Sequence, residues 1–330
     1  NHFVPHAFSP KEFPDPDCPP HLYARGRNPQ FRYYRYLNDY TNRLSHLLSG
    51  GAHVASAAVL YHAEAEWSGE AMYFHKPVKA LMKRQIDCDV LSVDAILETA
   101  AVRDRRLYVQ GESFDCLIVP YSEALPAACL KRLAELAQTG LPVWFVNGLP
   151  VRSSEGEDVV SVLSLLSVQP SVCVVKLDEL ADRMREAGFY DISVASEQPY
   201  LRYYHIRHAD LDVYFFFNEH PRTAVDTVVE IPNSGNAVFY DAYENRLLPA
   251  AAEAYGGKVR LRLRLAPFET IVAAAGPGIG NRSEEGAAIA SSVEIREIPV
   301  SGPWTVSLAA PEQYPDFTAY GTIEPLSELS

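Results

Sequence analysis

Three apolar runs, each about one strand long, constrain this chain more than any other feature: VASAAVLY at 54–61, FDCLIVP at 114–120 and LPVWFVN at 141–147. None of them alternates apolar with polar residues, so each must be buried on both faces. Helical stretches fall between and around them: one through 79–85, a short one from Asp94, and one over 125–138 that Gly140 ends. A further strand CDVLS (88–92), a short extra strand LYV (107–109) and a helix at 177–187 closed by Gly188 extend the series. Strands that alternate with helices require a parallel sheet covered on both sides. Residues 53–190 therefore read as a flavodoxin-like, doubly wound α/β domain.

Past Gly188 the period changes. LRYYHIRH (201–208), DLDVYFFFN (210–218), AVDTVVEI (224–231), NAVFYD (236–241), KVRLRLRL (258–265) and FETIVAAA (268–275) are strand-like runs separated by turn residues. In the fifth, Val259, Leu261, Leu263 and Leu265 fall on one face and Arg260, Arg262 and Arg264 on the other, the mark of a half-buried strand. This spacing predicts a small antiparallel β-sandwich over 191–276. Residues 277–330 begin as a Gly-, Ala- and Ser-rich linker, and SGPWTVSLAAPEQYPDF (301–317) reads as the opening of another domain. At the other end, Pro5, Pro10, Pro14, Pro16, Pro19 and Pro20 break any helix within 1–27. A helix with a stripe of Tyr33, Leu37, Tyr40, Leu44 and Leu47 follows, stopped by Gly50-Gly51. Residues 1–52 form one segment in this division.

Charge and cysteine usage narrow the partners. The formal net charge of −13 repels phosphate backbones and anionic lipid, which argues against nucleic-acid and membrane-surface binding and fits a neutral partner such as a sugar. No stretch approaches the length of a membrane span. Cys18, Cys88, Cys116, Cys129 and Cys173 show no CxxC spacing, and an odd count without a framework favours a reducing, cytoplasmic compartment. The chain starts at Asn1 rather than Met, so a secretion signal upstream stays open.

The segment AEAEW (63–67), directly after the first strand of the predicted parallel sheet, holds the leading site residues. Ligands of open α/β sheets bind beyond the carboxyl ends of the strands. If the segment is extended, Glu64 and Glu66 project to one side about 7 Å apart, which overlaps the spacing of an inverting carboxylate pair. Sugar binding fits better: carboxylates accept hydroxyl hydrogen bonds while Trp67 stacks on the ring. A polar loop closing an interdomain seam is the plainer alternative. His2 and His6 have HxxxH spacing, but Pro5 between them removes the one-face geometry of a helix. They read as a polar pocket wall or as structural histidines, and no metal is expected. His205 and His208 point to opposite faces of a strand. Cys88 lies between Asp87 and Asp89, which raise a thiol's pKa. GxSxG, Walker A and a GxGxxG opening a helix are all missing, and GPGIG (276–280) lies in the linker, so no nucleophile and no cofactor is expected.

NHFVPHAFSP (1–10), DPDCPPHLYARGRNPQF (15–31) and AVLYHAEAEWSGEAM (58–72) resemble the late part of multidomain bacterial glycoside hydrolases of family 2, α-L-rhamnosidase-like or β-galactosidase-like architecture. These join a (β/α)8 barrel to a class I glutamine-amidotransferase-like or β-galactosidase-trimerisation-like domain, then a small sandwich and a sugar-binding jelly roll; SGPWTVSL (301–308) is similar to the start of the last. The resemblance implies that residues 1–27 end the barrel, with His2 and His6 near its rim, and that the catalytic carboxylates lie upstream. It also implies carbohydrate as substrate and a homo-oligomer, while the amidotransferase nucleophile has no matching elbow here. Two further readings stand beside this one: a self-sufficient sugar-binding protein, and a hydrolase using Glu64 and Glu66 as acid and base.

Overall fold

Side chains of the apolar runs part alternately into two cores, which is why those runs carry no polar face. A computed structural model describes residues 33–279 other than 234 and 251, together with the strands at 304–308 and 318–323. His2, His6, the proline-rich segment and most of the linker lie outside the described residues. The parallel strands are β1 (Ala57–Tyr61), β2 (Cys88–Ser92), β3 (Cys116–Val119), β4 (Val143–Val146) and β5 (Val172–Val175), in the sheet order β5-β4-β3-β1-β2. Ala58, Leu60, Leu117, Val119, Val143 and Phe145 enter one core. Their neighbours Ala57, Val59, Cys116, Ile118, Trp144 and Val146 enter the other.

Helices cover both faces. The first core receives Ile96 of α4 (Val93–Glu98), Leu130 and Leu133 of α5 (Ala127–Gln138) and Leu166 of α6 (Val160–Val168); the second receives Leu81 of α3 (His75–Met82) and Met184 of α7 (Leu180–Glu186). Full burial of one such aliphatic or aromatic side chain contributes about 1.5–3 kcal/mol. Ser92 caps α4 by accepting from the Ala95 N–H at 3.2 Å, and Gly140 ends α5 with φ at +88°. The short strand at 107–109 is the middle of a three-stranded antiparallel meander over 101–114, inserted before β3. Both α6 and β5 go unread in the sequence, because VVSVLSLLSVQPSVCVV (159–175) is apolar with no resolvable period.

The second part is sandwich-like. Its larger sheet runs Ala52–His53, β6 (Leu201–Arg207), β7 (Asp212–Asn218), β11 (Thr270–Gly276), β9 (Asn236–Asp241) and Arg246–Pro249; its smaller one runs Ser193–Val194, β8 (Val225–Ile231), β10 (Lys258–Leu265) and Ala252–Tyr255. Val259, Leu261, Leu263 and Leu265 of β10 are buried and meet Tyr214, Phe216, Phe239 and Ile271 of the facing sheet. The two parts are stitched together by buried polar bonds. Gln85, after α3, donates to the Leu201 and Gln198 carbonyls at 2.9 and 2.6 Å. His53 sits between the carboxylates of Asp87 (2.9 Å) and Asp89 (3.1 Å), with its ring stacked on Tyr204.

All of this belongs to one compact unit, residues 47–291; a second comprises residues 1–46 and 292–330. Helix α1 (Tyr34–Leu47) carries Leu37, Tyr40, Leu44 and Leu47 of the expected stripe, with Tyr33 just before it, and in the second unit Trp304–Leu308 pairs antiparallel with Thr318–Ile323.

Candidate functional site

In the parallel sheet the chain passes from β1 to β2 on one side and then to β3 on the other, so the order of connection reverses between β1 and β3. Loops leaving the carboxyl ends of two such strands commonly diverge and open a crevice; here they are joined by an antiparallel bridge between Ala71 and Ser122. Residues 62–72 leave β1, and residues 120–123 leave β3. Glu64, Glu66 and Trp67 therefore stand where the sheet topology places ligands.

Their local geometry differs from the extended one considered above. Residues 63–66 form a single helical turn, α2 (Ala63–Glu66), with Ala65 its one buried residue. Positions two apart on a helix do not share a face, so Glu64 and Glu66 do not project to one side as they would from an extended segment. Glu64 turns inward, partly buried, while Glu66 is exposed and Trp67 is 87% exposed. Alternation fails here because the Trp67 N–H returns to the Glu64 carbonyl at 3.3 Å and Ser68 Oγ donates to the same oxygen at 2.6 Å.

The loop is nonetheless held in place. Met72 N–H donates to the Tyr121 carbonyl (2.8 Å) and Glu123 N–H to the Glu70 carbonyl (2.7 Å). Glu70 N–H reaches Glu123 Oε2 at 3.1 Å, and Arg152 Nε reaches Glu123 Oε1 at 3.1 Å. Arg152 also donates to the Ser68 carbonyl. Together, the Glu70 N–H and the Arg152 guanidinium hold the Glu123 carboxyl below its ordinary value. Gly69 sits at φ +151°, where a Cβ would lie 2.6 Å from Glu123 Oε2, so the close approach of loop to carboxylate requires glycine.

Three polar atoms on these joined loops are buried without a hydrogen-bond partner among the described residues: His62 Nδ1, Glu64 Oε2 and Ser122 Oγ. His62 is fully buried, and burial holds its imidazole below the ordinary value despite the fields of Glu66 and Glu64. It is therefore neutral at pH 7. Its Nε2 lies 3.3 Å from the Tyr121 carbonyl, which can only accept, so Nε2 carries the proton and Nδ1 presents a lone pair. Buried polar atoms usually find a partner; three of the five exceptions among the described residues lie on these two adjacent loops.

Elsewhere the Tyr203 and Tyr214 hydroxyls are also buried without a partner, while several charged clusters are engaged with their own neighbours. His205, fully buried on β6, bonds Asp191 (2.9 Å) and Asp212 (3.0 Å) and stacks on Tyr214. Burial opposes its charge, but the two carboxylates prevail and raise its pKa. Burial likewise opposes ionisation of Asp212, yet bonds from His205, Arg207 and Asn233 bring its carboxyl down to about 2. His208 donates to the Leu47 carbonyl at 2.9 Å. A cleft of about 570 Å³ beyond β4 and β5 is lined by Lys83, Arg84, Lys176, Asp182 and Glu197. Its central cation is spent on its own walls, since Arg84 bridges Asp182 at 2.7 Å and Glu197 at 3.3 Å. Burial, with Asp87 and Asp89 adding to it, pushes the Cys88 thiol up, and burial with Glu64 and Glu155 pushes Cys129 up to about 12. Neither thiol is an activated nucleophile. Among the described residues no cluster of three or more His, Cys, Asp or Glu is arranged to hold a metal, and no helix is long and apolar enough to cross a membrane.

Sequence reasoning singled out Glu64, Glu66 and Trp67 and passed over His62, Ser122, Glu123 and Arg152, which the structure sets beside them. Arg152 and Ser68 are 84 positions apart, and no local pattern could join them. A signal for Ser122 existed in its place just beyond a doubly buried strand.

No protein-family model matches the chain, and no curated protein matches it. Among solved structures it is similar to a rhamnosidase from Novosphingobium sp. PP1Y, at 17% identity and a TM-score of 0.62, over 85% of this chain and 26% of that one. A β-galactosidase from Bacillus circulans sp. alkalophilus gives 11% identity and a TM-score of 0.51, over 74% of this chain and 45% of that one. A catalytic mutant of a GH42 β-galactosidase from G. stearothermophilus gives 10% and 0.50, over 74% and 44%. The fold is thus one found in glycoside hydrolases, and the chain spans about a quarter to under half the length of these relatives.

Proposed function

We propose that this chain is a segment of a glycoside hydrolase that supplies accessory domains and part of an active-site rim, and that it does not cleave glycosides by itself. The observation that carries this reading is Trp67: a nearly fully exposed indole, flanked by carboxylates, on a loop strapped down by Glu123 and Arg152 at the sheet's switch point. Indole faces suit the apolar faces of sugar rings, and a fixed platform loses little freedom on binding. The fold shared with the rhamnosidase and the β-galactosidases supports carbohydrate as the ligand. Glu64 and Glu66, on different faces of one helical turn, support a binding role over a catalytic one.

The finer assignments belong to the same proposal. The sheet order β2-β1-β3-β4-β5 is that of flavodoxin-like domains, which supports reading residues 53–190 as such a domain of amidotransferase-like descent without its nucleophile. The separate sandwich core supports a boundary near 190. Residues 1–52 as the end of a barrel, His2 and His6 at its rim and a jelly roll after 277 extend the reading on resemblance alone. Self-association would draw on α6, which leaves Val160 and Val168 exposed beside Ser161, Ser164 and Ser167; a clean monomer by light scattering would remove that element. A cytoplasmic location rests on the free thiols of Cys88, Cys116, Cys129 and Cys173.

The test uses the 330-residue chain with 4-nitrophenyl α-L-rhamnoside and β-D-galactoside, and with the free sugars in calorimetry. Saturable sugar binding without turnover, weakened at least about tenfold in Trp67→Ala while thermal stability is unchanged, is the expected result. Turnover that disappears in Glu64→Gln or Glu66→Gln would replace this reading with a self-sufficient hydrolase.

A further inference from the structure

We infer that the seam between the α/β part and the sandwich is a pH-sensitive lock, closed by two imidazolium cations, His53 and His205, and released when they give up their protons. The first observation is where apolar contact stops. Among the described residues, two clusters of buried apolar side chains draw only on residues 55–190, and a third draws only on residues 192–275. Each part closes its own core, and no apolar cluster bridges the seam. What joins the parts is polar. Gln85 supplies neutral hydrogen bonds to the Leu201 and Gln198 carbonyls. The Arg84–Glu197 pair, at 3.3 Å, is exposed at its Glu197 end, where an ion pair contributes little.

The second observation is the geometry of the two rings. His53, on the strand paired to β6, has Nε2 2.9 Å from Asp87 Oδ2 and Nδ1 3.1 Å from Asp89 Oδ2. His205, on β6, has Nδ1 2.9 Å from Asp191 Oδ2 and Nε2 3.0 Å from Asp212 Oδ1. An ionised carboxylate only accepts, so a ring with a carboxylate at each nitrogen needs both protons; neutral imidazole has one. Other donors hold two of these carboxylates as acceptors: the Cys88 N–H reaches Asp87 Oδ1 at 2.9 Å, and Arg207 and Asn233 reach Asp212 at 2.9 and 2.8 Å. His53 thereby ties the start of β2 to β6, while His205 fixes Asp191, where the chain passes from one part to the other, to β7.

Nothing else around the rings replaces the lost charge. His53 faces Tyr204, with Glu112 and Cys88 nearby. His205 faces Tyr214, with Tyr203 and Asp115 close to Asp191. The two cations at hand, Arg106 and Arg207, already serve Asp115 and Asp212. Burial opposes both imidazoliums, but hydrogen bonds and charge from the flanking aspartates prevail and raise both pKa values, that of His53 to about 10 from 6.5. With the folded value above the unfolded one, the lock is fully closed below pH 6.5 and releases as pH rises through about 10.

The experiment is brief trypsin digestion of the full 330-residue chain at pH 7 and 10.5, with cleavage sites read by mass spectrometry and far-ultraviolet circular dichroism alongside. Opening of the seam frees Arg84 and Arg202, which bond across it to Glu197 and the Met82 carbonyl; Arg222, exposed in the turn between β7 and β8, normalises protease activity. In the wild type, cleavage at Arg84 and Arg202 relative to Arg222 should rise at least about tenfold at pH 10.5, because buried carboxylates lose their partners. Circular dichroism should stay unchanged, and the ratio should recover on return to pH 7. His53→Gln/His205→Gln should show the high ratio already at pH 7 and no further rise at pH 10.5. If that variant does not fold, His53→Gln alone decides, with a raised ratio at pH 7 and a smaller rise with pH than the wild type. A wild-type ratio that is flat between the two pH values, a folded variant that matches the wild type at pH 7, or loss of the circular dichroism signal at pH 10.5 overturns the inference.

Discussion

Replacing His53 by glutamine should remove a stabilising contribution that the wild type possesses only while the imidazole is charged. His53 lies on the short strand Ala52–His53, paired to β6, and reaches across to Asp87 and Asp89 at the start of β2. Burial works against the imidazolium, but hydrogen bonds and charge from Asp87 and Asp89 overcome it and push its pKa up to about 10 from 6.5. At about 1.4 kcal/mol per pH unit, that interval caps the contribution at roughly 5 kcal/mol. Asp87 offsets part of it, since burial holds its own carboxyl above the ordinary range with His53 opposing; about 2–4 kcal/mol remains. The folded pKa is above the unfolded one, so this stability is complete below pH 6.5 and is lost as pH rises through about 10. Guanidinium melts of wild type and His53→Gln at pH 6, 8 and 10.5 measure it. His205, whose pKa is raised in the same direction, is present in both proteins and cancels in the difference. The gap should be widest at pH 6 and nearly closed at pH 10.5. An equal gap at both ends would show that packing against Tyr204, not charge, accounts for the effect.

Other consequences are simpler to check. Gly69→Ala forces a Cβ to within 2.6 Å of Glu123 Oε2 at φ +151°; it should destabilise by about 1–3 kcal/mol and loosen residues 66–72 in hydrogen exchange, whereas Gly278→Ala, with open space at its Cβ and no positive φ, should not. Cys116 and Cys129 are fully buried, and burial raises both thiols. At pH 8 they should react with a thiol reagent only after denaturant is added, and prompt labelling of the native chain would contradict that burial.

Legibility in the sequence followed burial symmetry. Runs buried on both faces, such as VASAAVLY, announced themselves by lacking a polar face, and β10 by strict alternation of valine or leucine with arginine. Ala252–Tyr255 escaped notice because all four of its residues are exposed, so hydrophobicity leaves no mark on it. Helix α6 and strand β5 merged into one apolar stretch whose boundary is set by tertiary packing. After β1, AEAEW showed its polar composition but not its geometry: one helical turn sends Glu64 inward and Glu66 outward. The strap that fixes the loop is assembled from Ser68, Glu123 and Arg152, which only the sheet brings together.

The pairing of Ala52 with Arg207 has a consequence for biosynthesis. About 155 residues must leave the ribosome after Ala52 before its partner strand exists. At about 5–20 residues per second this delay is on the order of ten seconds. During that interval His53 has no β6 to rest on, and Tyr204 has not yet been made. The nascent α/β half therefore waits, its seam open to solvent or to a chaperone, until the sandwich arrives to close it.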